Sequence, residues 1–261
     1  MVNQMRTQRL EDLEQYILES KMVTLDELCE KFEISKNTLR RDIQNLVDKG
    51  SIEKVYGGVV AVEKDSAPLD LLPYETRHTT MAEEKDRLCA QAACHIEDGD
   101  FIYIDTGTSC LNIVDYLTDR KCTILTNSLQ VCLKAVAYPN LEVISMPGRL
   151  KRETLSYVGA DIQEYLKNYN IRKAFMACSG VSVDNGLTNA SVEEYLVKKA
   201  VIQRSASVFL LADHTKFGHF AQMTFCPLKD VDRIITDRPL SREYTEFCRE
   251  YQVGVELAPE K

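Results

Sequence analysis

The sequence predicts an α/β chain in two parts, an N-terminal winged helix-turn-helix followed by a mainly parallel α/β domain. Three observations lead there. Residues 1–63 hold two helical segments, a short turn, a cationic third helix and a glycine-centred hairpin. Beyond residue 100, apolar β-branched runs alternate with helical segments, the pattern of a parallel sheet covered on both faces. The length of 261 residues exceeds the ~100–200 of one domain.

Leu10, Leu13 and Ile17 stand at helical spacing within residues 6–20 and predict a first helix. Thr24 followed by Glu27 reads as the capping box of a second, with Leu25, Leu28 and Phe32 on its inner face. Glu33-Ile34 is the turn, and Ser35 caps a third helix whose Leu39, Ile43 and Leu46 form one apolar stripe. Gly50 stops it. Ile52–Val55 and Val59–Val62, around Gly57-Gly58, make the wing.

Opposite the Leu39/Ile43/Leu46 stripe lie Asn37, Arg41, Gln44 and Asn45, flanked by Lys36 and Arg40. Ser35–Arg41 carries three cations and no anion. Cations suit phosphate contact, and Arg and Asn can bond bidentately to guanine and adenine edges. The DNA-contacting set is therefore Ser35, Lys36, Asn37, Thr38, Arg40, Arg41 and Gln44, with Tyr56 on the wing. A short solvated surface helix is the plainer reading of Arg40-Arg41-Asp42 alone, but it leaves the caps, turn and hairpin unexplained.

Residues 64–80, with Pro68 and Pro73, read as a linker between 1–63 and 81–261. A helix over 82–96 carries Leu88, Ala92 and Ile96 inward and stops at Asp98-Gly99-Asp100. Strands follow at Phe101–Ile104, Cys122–Leu125, Leu141–Met146, Lys173–Ala177, Ser207–Ala212 and Val231–Ile235. Helices are expected around 109–118, 129–137, 160–168 and 191–204.

Ligands of open parallel sheets bind at the carboxyl ends of strands. Small polar residues stand there: Asp105, Thr106, Gly107, Thr108 and Ser109, then Thr126, Asn127 and Ser128, then Gly148 and Arg149, and finally Lys216. A Gly/Thr/Ser loop at a helix N-terminus offers hydroxyls and N–H groups to a phosphate. Arg149 and Lys216 would balance its charge, and Asp105 would accept from sugar hydroxyls. Each has a plainer reading: DTGTS as a strand-to-helix turn, Arg149 as a solvated loop residue, Glu194 as the partner of Ser191 in a capping box.

Other classes are disfavoured. There is no G-x-G-x-x-G or G-x-x-x-x-G-K-[ST], so no dinucleotide or nucleoside-triphosphate cofactor is implied. The nine cysteines are scattered without a C-x-x-C and read as buried thiols, not metal ligands or disulfides. A net charge of −8 argues against a protein that coats nucleic acid, though not against a small reading module. No apolar stretch is long enough to span a bilayer, and the first residues lack a signal-type segment, so a soluble, cytoplasmic protein is expected.

The motif VTLDELCEKFEISKNTLRRDIQNLVDKGSIEKVYGGV (Val23–Val59) resembles the DeoR family of bacterial transcriptional regulators. PYETR, EEK, DGDFIYIDTGTS, LTNS, PGRL, SGV, NGLT and LLADHTKFG are similar, in that order, to the family's effector domain. The resemblance implies a sensor domain similar in fold to ribose-5-phosphate isomerase, with a phosphosugar site at Asp105–Ser109, Thr126–Ser128, Gly148, Arg149 and Lys216. It implies a repressor of a carbohydrate catabolic operon, not an enzyme, released from DNA by a phosphorylated sugar. In the wing, Lys54 and Tyr56 stand where the family usually has Arg and His, and Pro147 stands where it often has a second glycine. Paired half-sites further imply a homodimer or homotetramer. The rival is a sugar-phosphate isomerase with a DNA-binding appendage, using Glu193 or Asp105 with Lys216, but the acidic cluster it needs is missing at Ser179–Ser182. A third reading is an oligomerisation domain without a ligand.

Overall fold

A computed structural model describes residues 9–260 apart from 11, 18–19, 21, 33, 49–51, 56–57, 62–72 and 160. Tyr56, Gly57 and Gly50 lie outside the described residues. The chain divides into two compact units, Met1–Ser66 and Ala67–Lys261.

In the first unit, α1 (residues 12–17), β1 (Met22–Thr24), α2 (Leu25–Lys31) and α3 (Lys36–Asp48) precede a hairpin of β2 (Ile52–Val55) and β3 (Gly58–Ala61). Leu13, Ile17, Leu28, Leu39, Ile43, Leu46, Ile52 and Val59 form its core, so each expected apolar stripe faces inward. The capping box is present: Glu27 N donates to Thr24 Oγ1 and Thr24 N donates to Glu27 Oε2. Ser35 Oγ accepts from Thr38 N at 3.3 Å, as the cap of α3. One strand was not anticipated. β1 pairs antiparallel with β3, giving a sheet of order β1-β3-β2. Gly58 is needed at that seam, since a Cβ there would stand 2.6 Å from Val23 O.

The second unit opens with α4 (Tyr74–Thr79), which falls inside the stretch read as linker, and α5 (Ala82–Ala93). Its strands are β4 (Phe101–Ile104), β5 (Thr123–Thr126), β6 (Glu142–Ser145), β7 (Arg149–Lys151), β8 (Ser156–Val158), β9 (Ile171–Met176), β10 (Gly180–Ser182), β11 (Gly186–Asn189), β12 (Ser205–Leu211), β13 (Met223–Cys226), β14 (Arg233–Thr236) and β15 (Gly254–Leu257). Its later helices are α6 (Leu129–Ala135), α7 (Ile162–Leu166), α8 (Val192–Gln203) and α9 (Arg242–Glu250).

The main sheet has seven strands in the order β15-β14-β12-β9-β4-β5-β6. All its pairings are parallel. Six of its strands lie within about two residues of the apolar runs, an ordinary boundary difference. Alternate residues bury into separate cores. Tyr103, Leu125, Met176, Val208 and Leu210 pack on one face with residues of α8 and α9. Ile102, Ile104, Ile124, Phe175 and Phe209 pack on the other with residues of α5. Cys89, Cys110, Cys122, Cys226 and Cys248 are buried free thiols, and burial pushes those of Cys89 and Cys226 up to about 12.

The structure corrects the segment around 109–118, where a 3₁₀-helix runs over Leu111–Tyr116 instead of an α-helix. It also adds β7–β8, the small antiparallel sheet β10-β11-β13, α9 and β15. From β4 the chain winds outward through β5 and β6, then returns to β9 and winds the other way. The strand order therefore reverses between β4 and β9, where the carboxyl ends of a parallel sheet open a ligand crevice.

Candidate DNA-reading helix and effector site

Lys36, Asn37, Arg40, Arg41, Gln44 and Asn45 are exposed along α3, while Leu39, Asp42, Ile43 and Leu46 are buried. Lys36 lies 2.6 Å from Asp26, both largely exposed, an ion pair weak enough for a phosphate to displace. Lys54 of the wing donates to Gln44 Oε1 at 2.5 Å, tying hairpin to helix. Asp42 does something different from its neighbours. Its carboxylate is 2% exposed and takes Arg9 Nε at 3.0 Å and Nη2 at 2.9 Å. It anchors α3 to Arg9, just ahead of α1, and faces away from solvent.

In the second unit, the loop after β4 is held across the switch point. Asp105 Oδ2 accepts from Ala177 N at 3.0 Å and from Lys198 Nζ, and Lys198 also donates to Ala177 O at 3.0 Å. Asp105, expected to meet sugar hydroxyls, is 1% exposed and ties β4 to β9 and α8. Gly107 serves the same closure. A Cβ there would stand 2.2 Å from Ala177 Cβ, so the absent side chain admits the neighbouring strand. Gly107→Ala should cost about 1–3 kcal/mol, read as a lowered urea midpoint; an unchanged midpoint would show that the loop can give way.

Because a 3₁₀-helix follows, the loop lacks the α-helix N-terminus on which the phosphate argument leaned. Cations gather there instead. Lys85 Nζ donates to Thr108 Oγ1 at 3.0 Å, to Arg77 O at 2.5 Å and to Thr80 O at 2.8 Å. Burial pushes Lys85 down to about 8, against the pull of Asp213, with Lys216 and Arg77 lowering it further. Burial also lowers the Arg77 pKa, while Glu194 and Asp105 raise it. Thr106 Oγ1 lies 3.4 Å from Glu194 Oε1.

Other expected residues build the walls. Thr126 Oγ1 donates to Ile104 O at 2.7 Å and accepts from Ser128 N at 3.0 Å. Asn127 Oδ1 accepts from Tyr103 OH at 2.6 Å, and its Nδ2 donates to Tyr157 O at 2.9 Å. Ser128 Oγ caps α6 through Val131 N. Ser109 is 4% exposed, with its carbonyl taking Cys89 Sγ. Gly148 has φ +145° and packs against Val158, where a Cβ would stand 2.8 Å from the carbonyl oxygen. Arg149 is largely exposed and pairs with Glu193 at 2.5 Å. Lys151 joins it, donating to Ser191 Oγ at 2.6 Å.

The structure thus brings Thr108 to Lys85, Thr106 to Glu194 and Asp105 to Lys198, and Lys85 and Lys198 lie outside the strand ends. A signal for them existed. Lys85 stands in line with Leu88, Cys89 and Ala92 on the inward stripe of α5, and Lys198 with Val197 and Val201 on that of α8. A charged residue on a buried stripe needs a partner inside.

The described residues hold no helix long and apolar enough to cross a membrane. The DeoR-like helix-turn-helix domain model matches residues 9–65, and the DeoR C terminal sensor domain model matches residues 80–238. The chain is 44% identical to the HTH-type transcriptional regulator IolR of Bacillus subtilis, over 97% of this chain and 100% of that one. It is 29% identical to the HTH-type transcriptional repressor GlcR of Bacillus subtilis, over 96% and 95%. It is 26% identical to the glycerol-3-phosphate regulon repressor of Escherichia coli, over 97% and 99%. Among solved structures, ribose-5-phosphate isomerase A of Neisseria gonorrhoeae aligns with a TM-score of 0.41 and 16% identity, over 54% of this chain and 56% of that one. With a helix-turn-helix at one end, a sensor domain at the other, and relatives named as regulators along its whole length, the chain belongs to the DeoR family of transcriptional regulators and not to an enzyme family.

Proposed function

We propose that the chain is a cytoplasmic repressor of a carbohydrate catabolic operon, released from its operator by a phosphorylated sugar. Residues 1–63 read the operator, 64–80 link, and 81–261 sense. The observation that carries the effector half is Lys85 on Thr108, in the loop at the switch point of the sheet, with the charges of Arg77 and Lys216 felt at Lys85. That chemistry suits an anionic group attached to a small polar body. The relative named for glycerol-3-phosphate supports a phosphorylated polyol as the class. Effector and operator would be coupled reciprocally, typically by about 1–3 kcal/mol.

Ser35, Lys36, Asn37, Thr38, Arg40, Arg41, Gln44 and Tyr56 are assigned to the operator, which a homodimer or homotetramer would contact at paired half-sites. Asp105–Ser109, Thr126–Ser128, Gly148, Arg149 and Lys216 are assigned to the effector pocket, Thr126–Ser128 and Asp105 as its framework. The test is operator retention in a gel shift while sugar phosphates are added; operator retained unchanged against the whole panel would overturn the effector half. On the DNA side, Arg41→Ala should weaken operator binding by about 1–3 kcal/mol and relax specificity. Lys36→Ala should lower affinity evenly across sequences and reduce the salt slope by about one unit. Unchanged affinity in both variants would refute the placement of α3 on DNA.

A further inference from the structure

We infer that Glu194 reads a hydroxyl group of the effector, so that the sensor distinguishes a polyhydroxy phosphate from phosphate itself. The inference rests on the sugar-phosphate reading above and assigns one residue within it. Ser191 Oγ accepts from Glu194 N at 3.4 Å, which is half of a capping box. The returning half is absent among the bonds of the described residues. The carboxylate has turned inward instead, and the residue is 6% exposed.

What it meets there is one long hydrogen bond, which leaves acceptor capacity on the carboxylate. Its hydrogen bond among the described residues comes from Thr106 Oγ1 at 3.4 Å, the long end of the range. Lys198, one turn along α8, is committed to Asp105 and Ala177 O. Arg77, whose charge Glu194 feels, donates to Glu153 O at 3.4 Å. A carboxylate can accept about four hydrogen bonds, and a buried acceptor left short is costly. Burial raises the Glu194 pKa, and Asp105 adds to the rise while Lys198, Arg77 and Lys151 oppose it.

The remaining lone pairs of the carboxylate can take donors from whatever occupies the loop. A phosphate oxygen is the wrong chemistry, because Glu194 and Asp105 both repel it. A hydroxyl donates. The loop is therefore graded, with Lys85 on Thr108 at one end and Glu194 on Thr106 at the other. A ligand spanning it carries its anion toward the Lys85 charge, whose three N–H groups are held by Thr108 Oγ1, Arg77 O and Thr80 O, and a hydroxyl at the second end.

The test uses the full chain and thermal-shift titrations with inorganic phosphate, ribose 5-phosphate, glucose 6-phosphate and fructose 6-phosphate. At least one sugar phosphate should stabilise the unsubstituted protein at lower concentration than inorganic phosphate does. Glu194→Ala should keep the inorganic phosphate shift and lose about 10- to 100-fold in affinity for that sugar phosphate. Glu194→Gln, which preserves shape and keeps one acceptor oxygen, should lose less. Equal loss of both shifts in Glu194→Ala and Glu194→Gln would make Glu194 a structural residue and overturn the inference. Unaltered sugar-phosphate affinity in Glu194→Ala would overturn it too, as would equal response of the unsubstituted protein to inorganic and sugar phosphates. No response of the unsubstituted protein to any phosphate would overturn the sugar-phosphate reading first, and the inference with it.

Discussion

Lys198→Ala should destabilise the second unit by about 3–5 kcal/mol, because it leaves the buried Asp105 carboxylate without its cation. Lys198 and Asp105 are 6% and 1% exposed, so neither charge can turn to water for compensation. The pair also closes the seam between β4 and β9, since both Asp105 and Lys198 bond the backbone of Ala177. Chemical denaturation of the full chain, followed by a probe in the second unit, measures the loss. Replacing both residues together, Asp105→Asn with Lys198→Met, should cost less than the sum of the single changes, since the Asp105 charge is then removed along with its cation. Additive losses would show that the two side chains act independently and that the ion pair is not what holds the seam.

Arg9→Ala should cost the first unit about 3 kcal/mol through the same asymmetry, with Asp42 stranded under α3. A unit of this size has little to spare, since below about 70–80 residues a single core supplies roughly 3–5 kcal/mol. Operator binding should therefore collapse although Arg9 is not among the residues assigned to DNA. The distinguishing measurement is calorimetry. Arg9→Ala should lower or erase the melting transition of the first unit and leave that of the second, whereas Arg41→Ala should leave both. Lost operator binding with an unchanged melt would mean that Arg9 contacts DNA and does not serve as an anchor.

These two pairs show where reading the sequence stops. The capping box of Thr24 and Glu27, the stripe of Leu39, Ile43 and Leu46, and the alternation of apolar runs with helices all depend on residues a few positions apart. Such patterns are written locally, and they placed the winged module and six strands of the parallel sheet. The strands β7, β8, β10 and β11 are short and hold only one or two apolar residues each, too few to stand out as apolar runs. The segment Leu111–Tyr116 has apolar residues at helical spacing, yet it is wound as a 3₁₀-helix, which local spacing does not separate from an α-helix.

The chain by itself determined the class of regulator, the exposed face of α3 and the polar strand ends proposed here for a ligand. Tertiary structure alone decided which polar residues there hold the fold and which are left to meet a ligand. Asp42 finds Arg9 at a separation of 33 residues, and Asp105 finds Lys198 at 93. Whether a carboxylate is anchor or contact depends on the charge folded against it, and that neighbour is set by packing. Glu194 is the sharpest case, since its spacing from Ser191 matches a capping box, yet its side chain turns to Thr106 in the loop after β4.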